Sequence, residues 1–375
     1  MTQLESGNSE RYPALDGIRG LAVLMVWVWH YIPCLVSRDA GWWAPYIRRL
    51  LYVTGSGVDL FFALSGFLIV GILIDKSGQP NFLRHFYLRR SARIFPLYFV
   101  MLGLFVLLKD WQGLPEDARR WLFENPMPLG SYATFTQNIF MGLQQQFGPG
   151  WLAVTWSLAV EEQFYLIIPL LLLLLGKRKL PWLFVAGICL LPCLRMISPG
   201  FHAYVNLPWR ADPLLAGACA AFIVRSASLR GRCLAGKAGL IACGCLLLGG
   251  VATMIVFPGC LGMFDQTLYA GLYTLLILIA RLELHPPLCR VLKNPALKWI
   301  GLYSYGIYLS HQGISGLMHG LIKGQAPQIV NFSDAILTLS AAVVTFVVAG
   351  ISYRFLEEPI LRLSHRHSQP HPSHL

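Results

Sequence analysis

Charge is what this chain has least of. Asp, Glu, Lys and Arg make up only 13% of its 375 residues, against roughly 25% in soluble domains. Acids are scarcer still, 18 against 30 basic residues. The sequence has no Walker loop, GxGxxG, HExxH or GxSxG arrangement, so nothing in it points to nucleotide hydrolysis, a zinc protease or a serine hydrolase. Its nine Cys form no paired CxxC spacing. Most, including Cys34, Cys189, Cys193, Cys219, Cys243 and Cys245, sit in apolar runs and read as packing residues. No internal repeat or second, soluble domain is visible. Residues 1–12 are polar, with no short apolar segment and small-residue cleavage site after them, so the first long run is expected to act as its own insertion signal.

In place of charge there is apolar bulk, 55% of residues, in repeated runs near the length that crosses a bilayer. The expectation is an all-α, polytopic transmembrane helical bundle of ten spans: about 15–36, 55–75, 94–109, 151–175, 180–196, 211–225, 238–257, 266–282, 300–322 and 335–356. The basic residues test that count. With the N-terminus inside and the spans alternating, 21 of the 30 Lys and Arg fall on the inner side. That bias predicts both termini in the cytoplasm. It also explains the net charge of +12 without nucleic acid as a partner. Residues 1–363 read as one integral-membrane domain and 364–375 as a disordered cytoplasmic tail. The tail histidines (His365, His367, His371, His374) would bind metal only adventitiously. The 110–150 segment reads as an outer cap with a short amphipathic or re-entrant piece near Phe135–Leu143.

Ionisable groups inside spans are costly and therefore functional candidates. The first span, LDGIRGLAVLMVWVWHYIPCL, holds Asp16, Arg19 and His30. Eleven residues return a helix to within about 20° of its starting face, about 16 Å along. Arg19 and His30 thus share a stripe. His30 is either a general base within the membrane or a packing histidine. Arg19 is either its companion or a snorkelling surface cation, and Asp16, one turn earlier, is expected to pair with it.

In FYLRRSARIFPLY, Arg90 and Arg93 share a helix face. Their planar forks suit phosphate oxygens, although basic residues at an inner helix end also serve topology and headgroup contact. In WSLAVEEQFYLIIP, Glu161 and Glu162 lie about 100° apart on a helix, so at least one faces the interior. There it would orient His30, pair with an Arg or bind a polar substrate. In GVDLFFALSGFLI, Ser65 and Gly66 read first as small packing residues. Arg210 and Asp212 would pair with each other or meet an outer substrate. His311 lies halfway along the ninth span, and Arg354, Glu357 and Glu358 form an ion-pair knot at the end of the tenth.

Together, RYPALDGIRGLAVLMVWVWH, GVDLFFALSGFLI, FYLRRSARIFPLY, WSLAVEEQFYLIIP, RADPLLAGACAA, YSYGIYLSHQ and RFLEEP resemble, in order and over nearly the whole chain, the acyltransferase family 3 membrane proteins. The resemblance implies a bacterial inner-membrane O-acyltransferase. It would move an acyl group, usually acetyl from acetyl-CoA, onto a hydroxyl of a glycan or lipid-linked glycan such as lipopolysaccharide O-antigen or exopolysaccharide. Acyl-CoA is then a co-substrate, with no tightly bound cofactor or metal. The resemblance makes His30 catalytic, as a general base or as the nucleophile of an acyl-His intermediate, Arg19 its companion and Glu161 the acid of the WSLxxE element. It places Arg90 and Arg93 on the RxxR element and Ser65 and Gly66 in the SGFL element on the donor side. Some members carry an esterase-like domain after the bundle. The 375 residues here contain none, which would leave acceptor choice to the bundle and its outer loops. A different class, a transporter or flippase with an Arg-His-Glu proton relay, would show substrate uptake without acylated product.

Overall fold

The computed structural model describes residues 12–257 and 259–366. They form helices and connecting turns. Among the described residues the nearest thing to a sheet is a single parallel bridge, Val36 to Ile329. The helices, in chain order, are α1 (Pro13–Tyr31), α2 (Ala44–Leu50), α3 (Gly57–Lys76), α4 (Phe82–Leu108), α5 (Glu116–Phe123), α6 (Leu129–Ala133), α7 (Gln137–Gln144) and α8 (Thr155–Ile197). After them come α9 (His202–Val205), α10 (Leu207–Arg210), α11 (Asp212–Arg225), α12 (Ala227–Ala235), α13 (Lys237–Val256), α14 (Asp265–Leu282), α15 (Pro286–Leu292), α16 (Pro295–Leu302), α17 (Ser304–Lys323), α18 (Phe332–Ser352) and α19 (Glu358–Arg366).

Six of these helices are long and apolar enough to cross a membrane, or seven if α11 and α12, bent by 97°, count as one broken span. Ten spans are therefore not reached by length and composition, for two physical reasons. The first is α8, a 43-residue helix broken at Gly176, where φ is 69°. At 1.5 Å per residue it would be about 65 Å long, twice a hydrocarbon core of about 30 Å. The break falls beside Lys177, Arg178 and Lys179, where the sequence divides two spans. The second is polarity. Helices α1 and α17 carry Asp16, Arg19, His30, His311 and His319 and are not among the six. They pack against other helices on several sides, so protein rather than lipid receives their polar groups.

Lipid-type exposure falls elsewhere. On α18, Leu339, Val343, Val347 and Ile351 are all more than half exposed, one face of an apolar helix turned outward. The 110–150 segment, expected as an outer cap, holds α5, α6 and α7, with α7 covering most of the expected amphipathic piece. The third span starts earlier than the apolar run suggests: α4 begins at Phe82 rather than near 94 and takes the basic cluster into its first turns. At the far end, α19 continues to Arg366, past the expected domain edge at 363. The tail beyond it, with His367, His371 and His374, lies outside the described residues.

Helices α3 and α11 cross closely. A Cβ at Gly66 would sit 1.9 Å from the Leu214 carbonyl oxygen, and one at Gly217 would sit 1.9 Å from that of Ala63. Only glycine permits this approach, which is how small residues bring membrane helices together.

Candidate active site

The polar residues on the inner faces of five helices meet around one cavity. Arg19 of α1, Ser65 of α3, Arg90 and Arg93 of α4, Ser157, Glu161 and Tyr165 of α8, and Ser304, Tyr305 and Tyr308 of α17 all line it, with apolar residues between them. Its free space is about 110 Å³, room for a narrow chain rather than a nucleotide.

The polar wall is internally ordered. Ser65 Oγ donates to Glu161 Oε1 at 2.7 Å, and the Tyr165 hydroxyl donates to Ser65 Oγ at 3.1 Å. The Arg90 guanidinium lies 5.7 Å from the centre of the Tyr165 ring. Arg19 Nη1 donates to Asp16 Oδ1 at 3.0 Å, the one-turn pairing that the sequence suggests. Three guanidiniums thus share a cavity in which Glu161 is the lining carboxylate. That leaves an excess of positive charge on the cavity wall.

Tyr308 marks one end of this space. Its hydroxyl bonds Ser157 Oγ and donates to the Val154 carbonyl at 2.9 Å. Its ring centre lies 6.1 Å from that of His311, which in turn lies 4.9 Å from that of His30. Both imidazoles are held the same way. His30 Nδ1 donates to the Val26 carbonyl at 2.8 Å, and His311 Nδ1 donates to the Tyr308 carbonyl at 2.7 Å. A carbonyl can only accept, so Nδ1 carries the hydrogen and Nε2 of each neutral ring keeps its lone pair. His311 Nε2 is buried, with no hydrogen-bond partner among the described residues.

Several expectations change on this geometry. Glu161 does not orient His30. It belongs to the Ser65–Tyr165 chain, while the partners of His30 are Val26 and His311. The stripe from Arg19 to His30 is not one continuous tunnel, because Arg19 lines the cavity and His30 does not. Gly66 faces the Leu214 backbone rather than the cavity, so of the two SGFL residues only Ser65 lines it. Arg210 and Asp212 do not pair with each other. Arg210 meets Asp59 at 3.0 Å, and Arg195 grips both oxygens of Asp212 at 2.7 and 2.8 Å. All four are buried, so these pairs lock helices together.

Sequence reasoning missed Arg195, Ser157, Tyr305 and Tyr308. It noticed His311 without its partner. The available signal was YSYGIYLSH, where Ser304, Tyr308 and His311 recur at helical spacing on one face.

Comparison with known proteins gives a consistent picture. Residues 12–354 match a family model described as an acyltransferase domain. The peptidoglycan O-acetyltransferase OatA of Listeria monocytogenes is 32% identical over 94% of this chain and 56% of its own length. The O-acetyltransferase OatA of Staphylococcus aureus is 28% identical over 96% of this chain and 58% of its own. The chain therefore spans a little over half the length of these curated relatives. No solved structure matches.

Proposed function

This chain belongs to the acyltransferase family whose model it matches, and from that premise we propose that it is a membrane O-acetyltransferase moving acetyl from acetyl-CoA to a hydroxyl of a cell-envelope glycan. The observation that carries the reading is the joining of Arg19, Arg90 and Arg93 in one cavity whose Tyr308 wall adjoins the His30–His311 pair. Three guanidiniums suit the phosphates of an acyl-CoA at the mouth. The narrow space suits its pantetheine arm, with Ser65 and Glu161 as hydrogen-bonding wall.

In this account the ten spans alternate with both termini in the cytoplasm of a bacterial inner membrane. The donor enters from inside, and the thioester meets the acceptor near His30. His30 Nε2 takes the proton of the acceptor hydroxyl as its oxygen attacks the thioester carbon. The C–S bond then breaks, and the proton passes to the departing thiolate. His311 packs against the His30 ring and holds its orientation. Movement of Tyr308 opens the way between cavity and imidazole pair. Among acceptors, peptidoglycan draws support from the Listeria relative's name, ahead of O-antigen or exopolysaccharide.

Mass spectrometry of envelope glycans tests this reading. A deletion strain should lose one O-acetyl group and regain it on complementation. An unchanged acetylation profile, with loss of a transport activity instead, would overturn it.

A further inference from the structure

A second cavity lies at the other end of α1. Trp29, Pro33, Cys34, Arg48, Arg49 and Tyr52 line it, with about 440 Å³ of free space, within the range of small-molecule sites, about 300–1,000 Å³. Trp29 precedes His30, and Pro33 follows it by three positions, so this cavity and the imidazole pair share the end of one helix.

Its charge is unusual for its place. The 32–56 segment between α1 and α3 carries Arg38, Arg48 and Arg49 against a single acid, Asp39. In the proposed topology this segment is on the outer side, where the rule that concentrates basic residues inside does not account for them. Arg49 Nε donates to the Ile255 carbonyl at 2.7 Å, which ties α2 to the end of α13. Arg48 is half-buried, and no described carboxylate lies within ion-pair distance of it. A guanidinium set into a cavity wall without a counter-charge is a site for an anion. Trp29 and Tyr52, edge to face with ring centres 6.2 Å apart, add flat apolar surface with polar rims, the chemistry that stacks on the C–H faces of a sugar ring.

We propose that this cavity binds the acceptor and selects glycans bearing an acidic group, with the sugar on Trp29 and Tyr52 and its carboxylate or phosphate on Arg48 and Arg49. The inference rests on the transferase reading and deepens it. The two Arg-lined cavities then serve the two substrates from opposite ends of α1, with His30 between them.

The test uses the full chain in zwitterionic lipid nanodiscs, with trigalacturonate and a neutral galactose trisaccharide as probes. Binding is read by tryptophan fluorescence and transfer by labelled acetyl-CoA. The acidic probe should bind at least tenfold tighter than the neutral one. Arg48→Gln should remove that preference, Arg48→Lys should keep part of it, and both should retain the wild-type KM for acetyl-CoA, which reports an intact bundle. Equal binding of the two probes, or an acidic-probe Kd unchanged in Arg48→Gln, would overturn the proposal. So would an effect of Arg48→Gln that follows phosphatidylglycerol content instead of the probe, since the cavity would then hold a lipid headgroup. Failure of the two readings is separable. Charge-selective binding without acetyl transfer defeats the transferase, whereas transfer without charge preference defeats the cavity.

Discussion

Ser65 makes a single polar choice visible. It accepts from Tyr165 and donates to Glu161, so its removal leaves a half-buried carboxylate one donor short. Hydrogen bonds to charged groups are worth about 1.5–3 kcal/mol. Ser65→Ala should therefore lower kcat/KM for acetyl-CoA by roughly tenfold or more, while Ser65→Thr, which keeps the hydroxyl, should retain most of it. Steady-state kinetics on the purified variants checks this. In the proposed reaction His311 acts through His30. Its ring lies 4.9 Å from that of His30, and a misplacement of about 1 Å in a reacting group can cost about a hundredfold. His311→Ala should depress kcat by about that factor with little change in the acetyl-CoA KM. A parallel rise in KM would make His311 a donor-binding residue instead. Neither set of contacts was legible in the sequence alone. The spacing of Arg19 and His30 put both on one helical stripe, but the ring that meets His30 comes from α17, nearly 300 positions later, and nothing local to α1 indicates it.

Elements hold one another through two devices, glycine contacts and buried ion pairs. The α3–α11 crossing leaves no room for a side chain at Gly66 or Gly217. Gly217→Leu should force the helices apart, at a cost of about 1–3 kcal/mol or more from overpacking, seen as a lower unfolding temperature in detergent. Glycine clusters were readable as packing signals. The pairing of charges was not, since Arg210 and Asp212 are sequence neighbours whose partners, Asp59 and Arg195, come from α3 and α8. Breaking a buried pair strands a charge. Asp59→Leu should cost about 3–5 kcal/mol, and Asp59→Leu with Arg210→Met should recover much of it, because the penalty lies in the unpaired ion. Thermal unfolding of the two variants side by side measures both. The same tertiary logic explains the span count. Enclosed helices such as α1 and α17 need not be apolar, so hydropathy underestimates them, and in the proposed ten-span topology the break at Gly176 would divide α8 into two spans.

The whole molecule is an asymmetric bundle with basic cavities at the two ends of one central helix. Its apolar runs and basic segments gave the all-α membrane architecture directly, because lipid permits few alternatives. The proposed sidedness rests on the same charges, and if it holds, cysteine labelling in intact cells should find position 38 reactive to an impermeant maleimide and position 178 protected. The central claim concerns the helix between those ends. Purified wild-type protein and His30→Ala, given radiolabelled acetyl-CoA and a glycan acceptor, measure it directly. The account predicts transfer by the wild type and a loss of about 10²–10⁴-fold in the variant, the usual worth of a general base. Full activity in His30→Ala would contradict it.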